Sequence, residues 1–209
     1  MSKDELSLLF GSPLWLFQID DSEATNKQLK KSVLEEKKKG AGVGLSNQGG
    51  WQSKGQLHEK PEFQVLVDII NARLKKVGRD YGFGAASSGL KVTSMWANVN
   101  PKGCSNALHS HQSPSGMPNP LVLSGCYYIE VPFNSGEFVL HDFSRPMRYL
   151  MLPFQEPNLI NSFTIKLTPK EGNLFFFPAW MEHSVDENNS YDERISIAFN
   201  VAIFNRIMQ

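Results

Sequence analysis

From about residue 91 onward the chain is written in short apolar segments separated by turn residues, and that rhythm admits few folds. VTSMWANV, LVLSGCYYIEV, GEFVLHD, MRYLML, NSFTIKLT, NLFFFP and RISIAFNVAIF are rich in β-branched and aromatic residues, which suit a pleated surface. Between them stand NPKG, PFNSG, TPKEG and DENNS, with the Gly, Pro and Asn of tight turns. Seven or eight short strands at this spacing predict a sandwich or jelly roll closing around an interior.

The upstream third reads as helical. In DDSEATNKQLKKSVLEEKKKG, Thr25 and Gln28 have capping-box spacing, Leu29 and Val33 share a face, and Gly40 is placed to end the helix. The run EEKKK reads as a solvated face. Residues 40–55, GAGVGLSNQGGWQSKG, follow no strand and lack GxGxxG spacing, so they read as a flexible or lid-like loop carrying Trp51 rather than a phosphate loop. Pro61 opens a second helix, where Phe63, Leu66, Val67, Ile70, Leu74, Val77 and Tyr81 form one apolar stripe suited to a sheet. The organisation expected is a single domain, with a helical support region over 1–90 and a mainly β core over 91–209. A chain of 209 residues buries about 70% of its unfolded surface and needs no disulfide or metal merely to fold.

Charge and cysteine usage narrow the partners. Lys+Arg and Asp+Glu both number 21, so no global field draws nucleic acid or an anionic membrane, and a charged ligand must be caught by local groups. No apolar run approaches the roughly 18 residues of a membrane span. Cys104 and Cys126 form neither a CxxC pair nor a disulfide framework, and MSKDELSLLF lacks the apolar core of a signal peptide. A cytoplasmic, reduced protein is expected.

The residues with chemistry to offer lie within NALHSHQSPSGMPNPLVLSGCYY and downstream of it. In an extended chain His109 and His111 point to one face, a geometry that serves a metal or arises by chance in a solvated loop. A third ligand must come from a distant strand, and His183 in FFFPAWMEHSV is placed to supply it. Arg194 and Ser196 share a face of RISIAFN; turned inward, they make an anion site that demands a carboxylate to fill it.

The order HxH, CYYI, SGEFVLHD, TPKEGNLFFFP, His183 and Arg194-x-Ser196 resembles the double-stranded β-helix (jelly roll) of 2-oxoglutarate/Fe(II)-dependent oxygenases, in particular the prolyl-hydroxylase-like branch. The resemblance covers roughly residues 92–204, and the lead-in with WQS and PEFQVLVDII is similar to a narrower, functionally uncharacterised group of oxygenases within it. It implies that His109 and His183 bind Fe(II), that Arg194 and Ser196 hold the C5-carboxylate of 2-oxoglutarate, and that Tyr128 also reaches this co-substrate. It further implies dioxygen as a reactant, succinate and CO2 as co-products, and hydroxylation of a C–H bond in a substrate that the sequence does not identify.

The departure is at the third ligand, where most of the superfamily has HxD or HxE and this chain has His111. Three readings follow: His111 itself completes the triad, or Asp142 or Glu137 in SGEFVLHD swings in as the carboxylate, or the site has two protein ligands or no catalytic metal, with His111 standing behind it. A third neutral imidazole would leave the iron more electrophilic and its affinity more sensitive to acid. Phe175 to Phe177 and Val122 to Tyr128 are candidate cavity walls, and Trp96, Asn98, Asn106, Arg145 and Trp180 candidate substrate contacts. Loops 40–58, 112–120 and 143–160 are expected to choose the substrate, with the proline-rich 112–120 loop guarding the metal. Two rivals are a cupin-like metal enzyme that does not use 2-oxoglutarate and a non-enzymatic jelly roll. The cupin reading lacks the glutamate that should follow HxH, and the binding module has no use for an anion clamp beside three histidines. A homodimer stays open.

Overall fold

A computed structural model describes residues 11–111, 113, 117–142, 153–158 and 160–204. Their strands are β1 (Trp15–Gln18), β2 (Asn47–Gln48), β3 (Trp51–Gln52), β4 (Leu90–Asn100), β5 (Ser105–His109), β6 (Leu121–Glu130), β7 (Phe138–His141), β8 (Thr164–Leu167), β9 (Asn173–Pro178), β10 (Glu182–Val185) and β11 (Arg194–Ile203). The helices are α1 (Glu23–Lys38) and α2 (Gln64–Asp80). One sheet runs β1-β9-β6-β11-β4-β3 and the other β2-β5-β10-β7-β8, with antiparallel neighbours throughout. This is the expected mainly β, jelly-roll arrangement with two helices on one side.

Alternation along the long strands divides the six-stranded sheet into two chemically different faces. Met95, Ala97 and Val99 of β4, Leu123 and Tyr127 of β6, Leu174 and Phe176 of β9, and Ile195, Ile197, Phe199 and Val201 of β11 point one way. They pack with Leu29 and Val33 of α1 and Leu66, Ile70, Leu74 and Val77 of α2 in one buried cluster. Phe63 joins it, Val67 packs against it half-buried, and Tyr81 stacks on Phe83. The intervening residues, among them Trp96, Asn98, Cys126, Tyr128, Arg194 and Ser196, face the space between the sheets.

Several upstream expectations need correction. The first 90 residues are not helical alone: Trp15–Gln18 pairs with β9, and the glycine-rich stretch carries β2 and β3, one on the edge of each sheet. Trp51 is therefore fixed in β3, its indole N–H donating to Gly40 O at 3.0 Å. The first helix begins behind Ser22, with no side-chain cap, so Thr25 lies within the helix and the capping box does not form. The EEKKK run is partly a tether, because Lys37 reaches Glu193 at 2.7 Å and Glu36 accepts from Lys39 and Lys60. β5 and β10 are strands in their own right, so His109 and His183 sit on sheet rather than beside it, with His111 just past the end of β5. The expected strand MRYLML lies outside the described residues.

Candidate functional site

The two halves of the site are set by strand register. On the five-stranded sheet His109 of β5 pairs directly with His183 of β10, which pairs in turn with Leu140 of β7. His111, just past the end of β5, is anchored by its backbone N–H to Ala179 O at 2.8 Å. On the facing sheet Ser196 of β11 pairs with Asn98 of β4 on one side and Tyr128 of β6 on the other. Arg194 lies two residues along on the same face, opposite Asn100.

The three imidazoles converge, with one ligand nitrogen from each lying within 4.8 Å of the others. His109 Nδ1 lies 2.7 Å from Ala107 O and His183 Nδ1 3.0 Å from Met181 O. A carbonyl only accepts, so each Nδ1 carries the proton and each Nε2 is left with its lone pair directed at the common centre. His111 Nε2 stands 3.3 Å from His183 Nε2, close to the roughly 3.0 Å between two nitrogens bound at right angles to a metal at about 2.1 Å. Burial, with His109 and His111 nearby, pushes His183 down to about 3, and burial beside His109 pushes His111 down to about 4. Burial also lowers His109, against the pull of the Ala107 carbonyl. Two unprotonated Nε2 atoms with a neutral third imidazole around one point fit a divalent transition metal such as Fe(II).

Among the described residues no carboxylate joins this group. Glu137 accepts from Thr168 Oγ1 at 2.8 Å and lines a surface groove beside Lys166 and Asp186, away from the histidines. Asp142 follows β7, its backbone N–H donating to Phe163 O, and is likewise outside the cluster.

All three histidines share a narrow inner chamber with Arg194, Ser196 and Tyr128. Its free space is about 40 Å³, so a ligand seated there displaces side chains rather than bulk water. Arg194 is 3% exposed, and burial lowers its pKa. Its Nη1 donates to Ser135 O and, at 3.4 Å, to Asp186 O, and among the described residues no carboxylate forms an ion pair with it. A buried guanidinium satisfied only by carbonyls is a site prepared for an anion. Burial raises the Tyr128 phenol far above its usual range and Cys126 to about 11, so both stay protonated.

Beyond the histidines the chamber meets an outer groove of about 920 Å³. Ser46, Trp96, His109 and His111 line both spaces and form the neck, with Trp96 stacked obliquely on His111 at 5.5 Å between ring centroids. Of the candidate substrate contacts, Trp96 is at this neck, Asn98 and Asn106 line the inner chamber, and Trp180 lines neither space. Arg145 lies outside the described residues, as do much of loops 112–120 and 143–160. Sequence reasoning missed Ser94 and Asn200, which floor the groove through bonds Asn200 Nδ2 to Ser94 Oγ, 3.1 Å, and Ser124 Oγ to Asn200 Oδ1, 2.7 Å. Their signal was available: Ser94 shares the parity of Trp96 and Asn98 along β4, and Asn200 that of Arg194 and Ser196 along β11.

Residues 94–200 match the model of a family described as "Putative 2OG-Fe(II) oxygenase", a span that contains all six chamber residues named above. Solved structures with the same fold include a collagen prolyl hydroxylase of Paramecium bursaria Chlorella virus 1, determined as its 2OG complex, at 14% identity and TM-score 0.59, covering 94% of this chain and 99% of that one. A Pseudomonas putida prolyl-4-hydroxylase aligns at 10% identity and TM-score 0.66 over 93% of this chain and 94% of its own. An alpha-ketoglutarate-dependent carbocyclase from nogalamycin biosynthesis aligns at 14% identity and TM-score 0.64 over 92% and 80%. No curated protein matches the chain in sequence.

Proposed function

The chain belongs to the 2OG-Fe(II) oxygenase family and is a 2-oxoglutarate- and Fe(II)-dependent oxygenase, and from that premise we propose which of its residues do the work. His109, His111 and His183 hold the iron, Arg194 and Ser196 hold the distal carboxylate of 2-oxoglutarate, and Tyr128 closes on the same co-substrate. The observation that carries this reading is that one chamber is lined by all six, with the metal-binding nitrogens on one sheet and the anion-binding groups on the other. When bound, Fe(II) supplies the redox chemistry by which 2-oxoglutarate and dioxygen become succinate and CO2 while a substrate C–H bond is hydroxylated.

The chain's own residues supply placement and dryness. The Ala107 and Met181 carbonyls fix the tautomers of His109 and His183, so neither of these two need lose a proton before a metal enters. Arg194, lacking a carboxylate partner, fixes the co-substrate end remote from the metal. Phe138 and Phe177 pack against His183 at 5.5 and 4.7 Å between ring centroids and shield it from water. The substrate approaches through the outer groove, where exposed Leu45 and Leu108 lie and where Lys54 is the one charged lining residue among the described residues, so the group delivered to the metal is partly apolar. Among the described residues no helix is long and apolar enough to cross a membrane. A reducing compartment such as the cytoplasm is supported by Cys104 and Cys126, both buried thiols without a disulfide.

Anaerobic titration of metal-stripped protein with Fe(II) and then 2-oxoglutarate tests the assignment through the visible charge-transfer band of the chelated co-substrate. Wild type should develop the band. Loss of a hydrogen-bond partner behind a ligand already weakens a metal by about 10–100-fold, so His111→Ala should weaken Fe(II) by at least that much. Arg194→Ala should bind Fe(II) normally and require far more 2-oxoglutarate. Iron uptake unchanged in His111→Ala would remove it from the ligand set.

A further inference from the structure

The inner chamber is bordered by a chain of asparagine side chains whose polarity is fixed from outside it. The backbone N–H of Gly50 donates to Asn47 Oδ1 at 3.0 Å. A backbone N–H cannot accept, so the amide orientation of Asn47 is determined and its Nδ2 must be the donor on the other side. That Nδ2 lies 2.9 Å from Asn100 Oδ1 and 3.3 Å from Asn98 Oδ1. With its oxygen occupied, Asn100 donates through Nδ2 to Asn106 Oδ1 at 3.2 Å. The relay therefore ends on two amide NH2 groups, those of Asn98 and Asn106, and both residues line the chamber that holds Arg194, Ser196 and Tyr128. Among the described residues neither NH2 group donates to another protein group, and neither is an orphaned buried atom, so each keeps accessible surface for a ligand.

The backbone is shaped to permit the first link. A Cβ on Gly50 would stand 2.6 Å from Asn47 Oδ1 and 2.8 Å from Val99 O, so no other residue brings its N–H to this place without displacing Asn47. The short connection between β2 and β3 thus lets one segment touch both sheets, Asn47 pairing with Asn106 and Gln52 with Asn98.

We infer that Asn98 and Asn106 are donors to the dicarboxylate co-substrate, and that Asn47, held by the Gly50 N–H, is the positioning residue that turns their NH2 groups into the chamber. Resting on the co-substrate assignment proposed above, this adds two donors to the guanidinium and hydroxyl already placed there. Asn98 shares its rung with Ser196, so its NH2 adjoins the carboxylate that the Ser196 hydroxyl meets. The result is a chamber lined by donors, matched to a ligand whose carboxylates only accept.

Asn47→Asp separates this role from simple support. The aspartate keeps the acceptor for Gly50 but turns an oxygen toward Asn98 and Asn100, which must then present their NH2 groups to it and their oxygens elsewhere. With Fe(II) bound anaerobically, the 2-oxoglutarate dissociation constant should rise by about tenfold or more, since a charge-assisted bond is replaced by an acceptor facing a carboxylate. Fe(II) affinity should stay within about twofold, because no relay residue touches a histidine nitrogen. Asn98→Ala, which leaves the Asn47–Asn100 bond in place, should show the same split and stands in if Asn47→Asp fails to fold. Wild-type affinity for 2-oxoglutarate in a folded variant overturns this inference alone. A wild type that takes up Fe(II) but gives no band with 2-oxoglutarate overturns the co-substrate assignment, and the inference with it.

Discussion

His111 stands where the resemblance places a carboxylate, and its surroundings change what a third imidazole does to the pH response. An exposed histidine titrates near 6.5, so a three-histidine site should shed metal in mild acid. Here burial holds His111 at about 4 and His183 at about 3, which keeps their nitrogens free of protons well below neutrality. Fe(II) affinity should therefore change by no more than about threefold between pH 7.5 and 5.5, a range that isothermal titration can cover. The same depression acts on stability with a definite sign. The folded pKa values lie below the unfolded one, so between 6.5 and about 3 the unfolded chain binds more protons, and acidification favours unfolding. The urea midpoint of metal-free protein should fall steadily from pH 7 to 4.5, with each such histidine contributing up to about 1.4 kcal/mol per pH unit. In His111→Asn the fall should be shallower. A wild-type midpoint flat across this range would show that these imidazoles are not held neutral by burial.

Among the elements, the turn between β6 and β7 shows how a loop can carry the site without contributing a ligand. Asn134 and Gly136 both have positive φ, 61° and 90°, which lets the chain fold back so that the Ser135 carbonyl accepts from Arg194. A Cβ on Gly136 would meet Asp186 O at 2.3 Å and Arg194 Nη1 at 2.9 Å. Gly136→Ala should therefore lower the melting temperature, with the left-handed backbone alone worth about 1–2 kcal/mol, and should weaken 2-oxoglutarate more than Fe(II). Equal weakening of both would place the damage in the fold rather than at Arg194. That turn was legible as PFNSG, as were the strands β4, β6, β9 and β11 and the stripe of α2, because four or more residues are enough for a period to show. β2 and β3 were not, since two residues hold no period and Asn, Gln and Gly read as turn. HxH and Arg194-x-Ser196 were legible because spacing by two is a statement about a single strand. The asparagine relay was not, because its members come from β2, β4 and β5, which only the fold brings together.

Taken whole, the molecule is built on a six-stranded sheet with an apolar side and a polar side, and the two should fail differently. The apolar side is sealed by α1 and α2 through Leu29, Val33, Leu66, Ile70, Leu74 and Val77, and none of the three converging histidines belongs to that cluster. The polar side faces the histidines across the inner chamber, with Phe175, Phe177, Phe138 and Leu140 as its apolar border. Ile70→Ala empties space in a fully buried position, and such truncations cost about 2–5 kcal/mol. The lost contacts lie behind the sheet, so Fe(II) and 2-oxoglutarate affinities of the folded fraction should stay within about twofold of wild type. Phe177→Ala should cost a comparable amount, about 3–5 kcal/mol, but its ring lies 4.7 Å from that of His183 and its loss admits water beside a ligand. Its Fe(II) affinity should fall as well. Denaturation and Fe(II) titration run in parallel on the two variants separate the cases. Should Ile70→Ala weaken the metal as much as Phe177→Ala does, the helices would be setting the geometry of the site through the sheet, and the two faces would be coupled rather than merely adjacent.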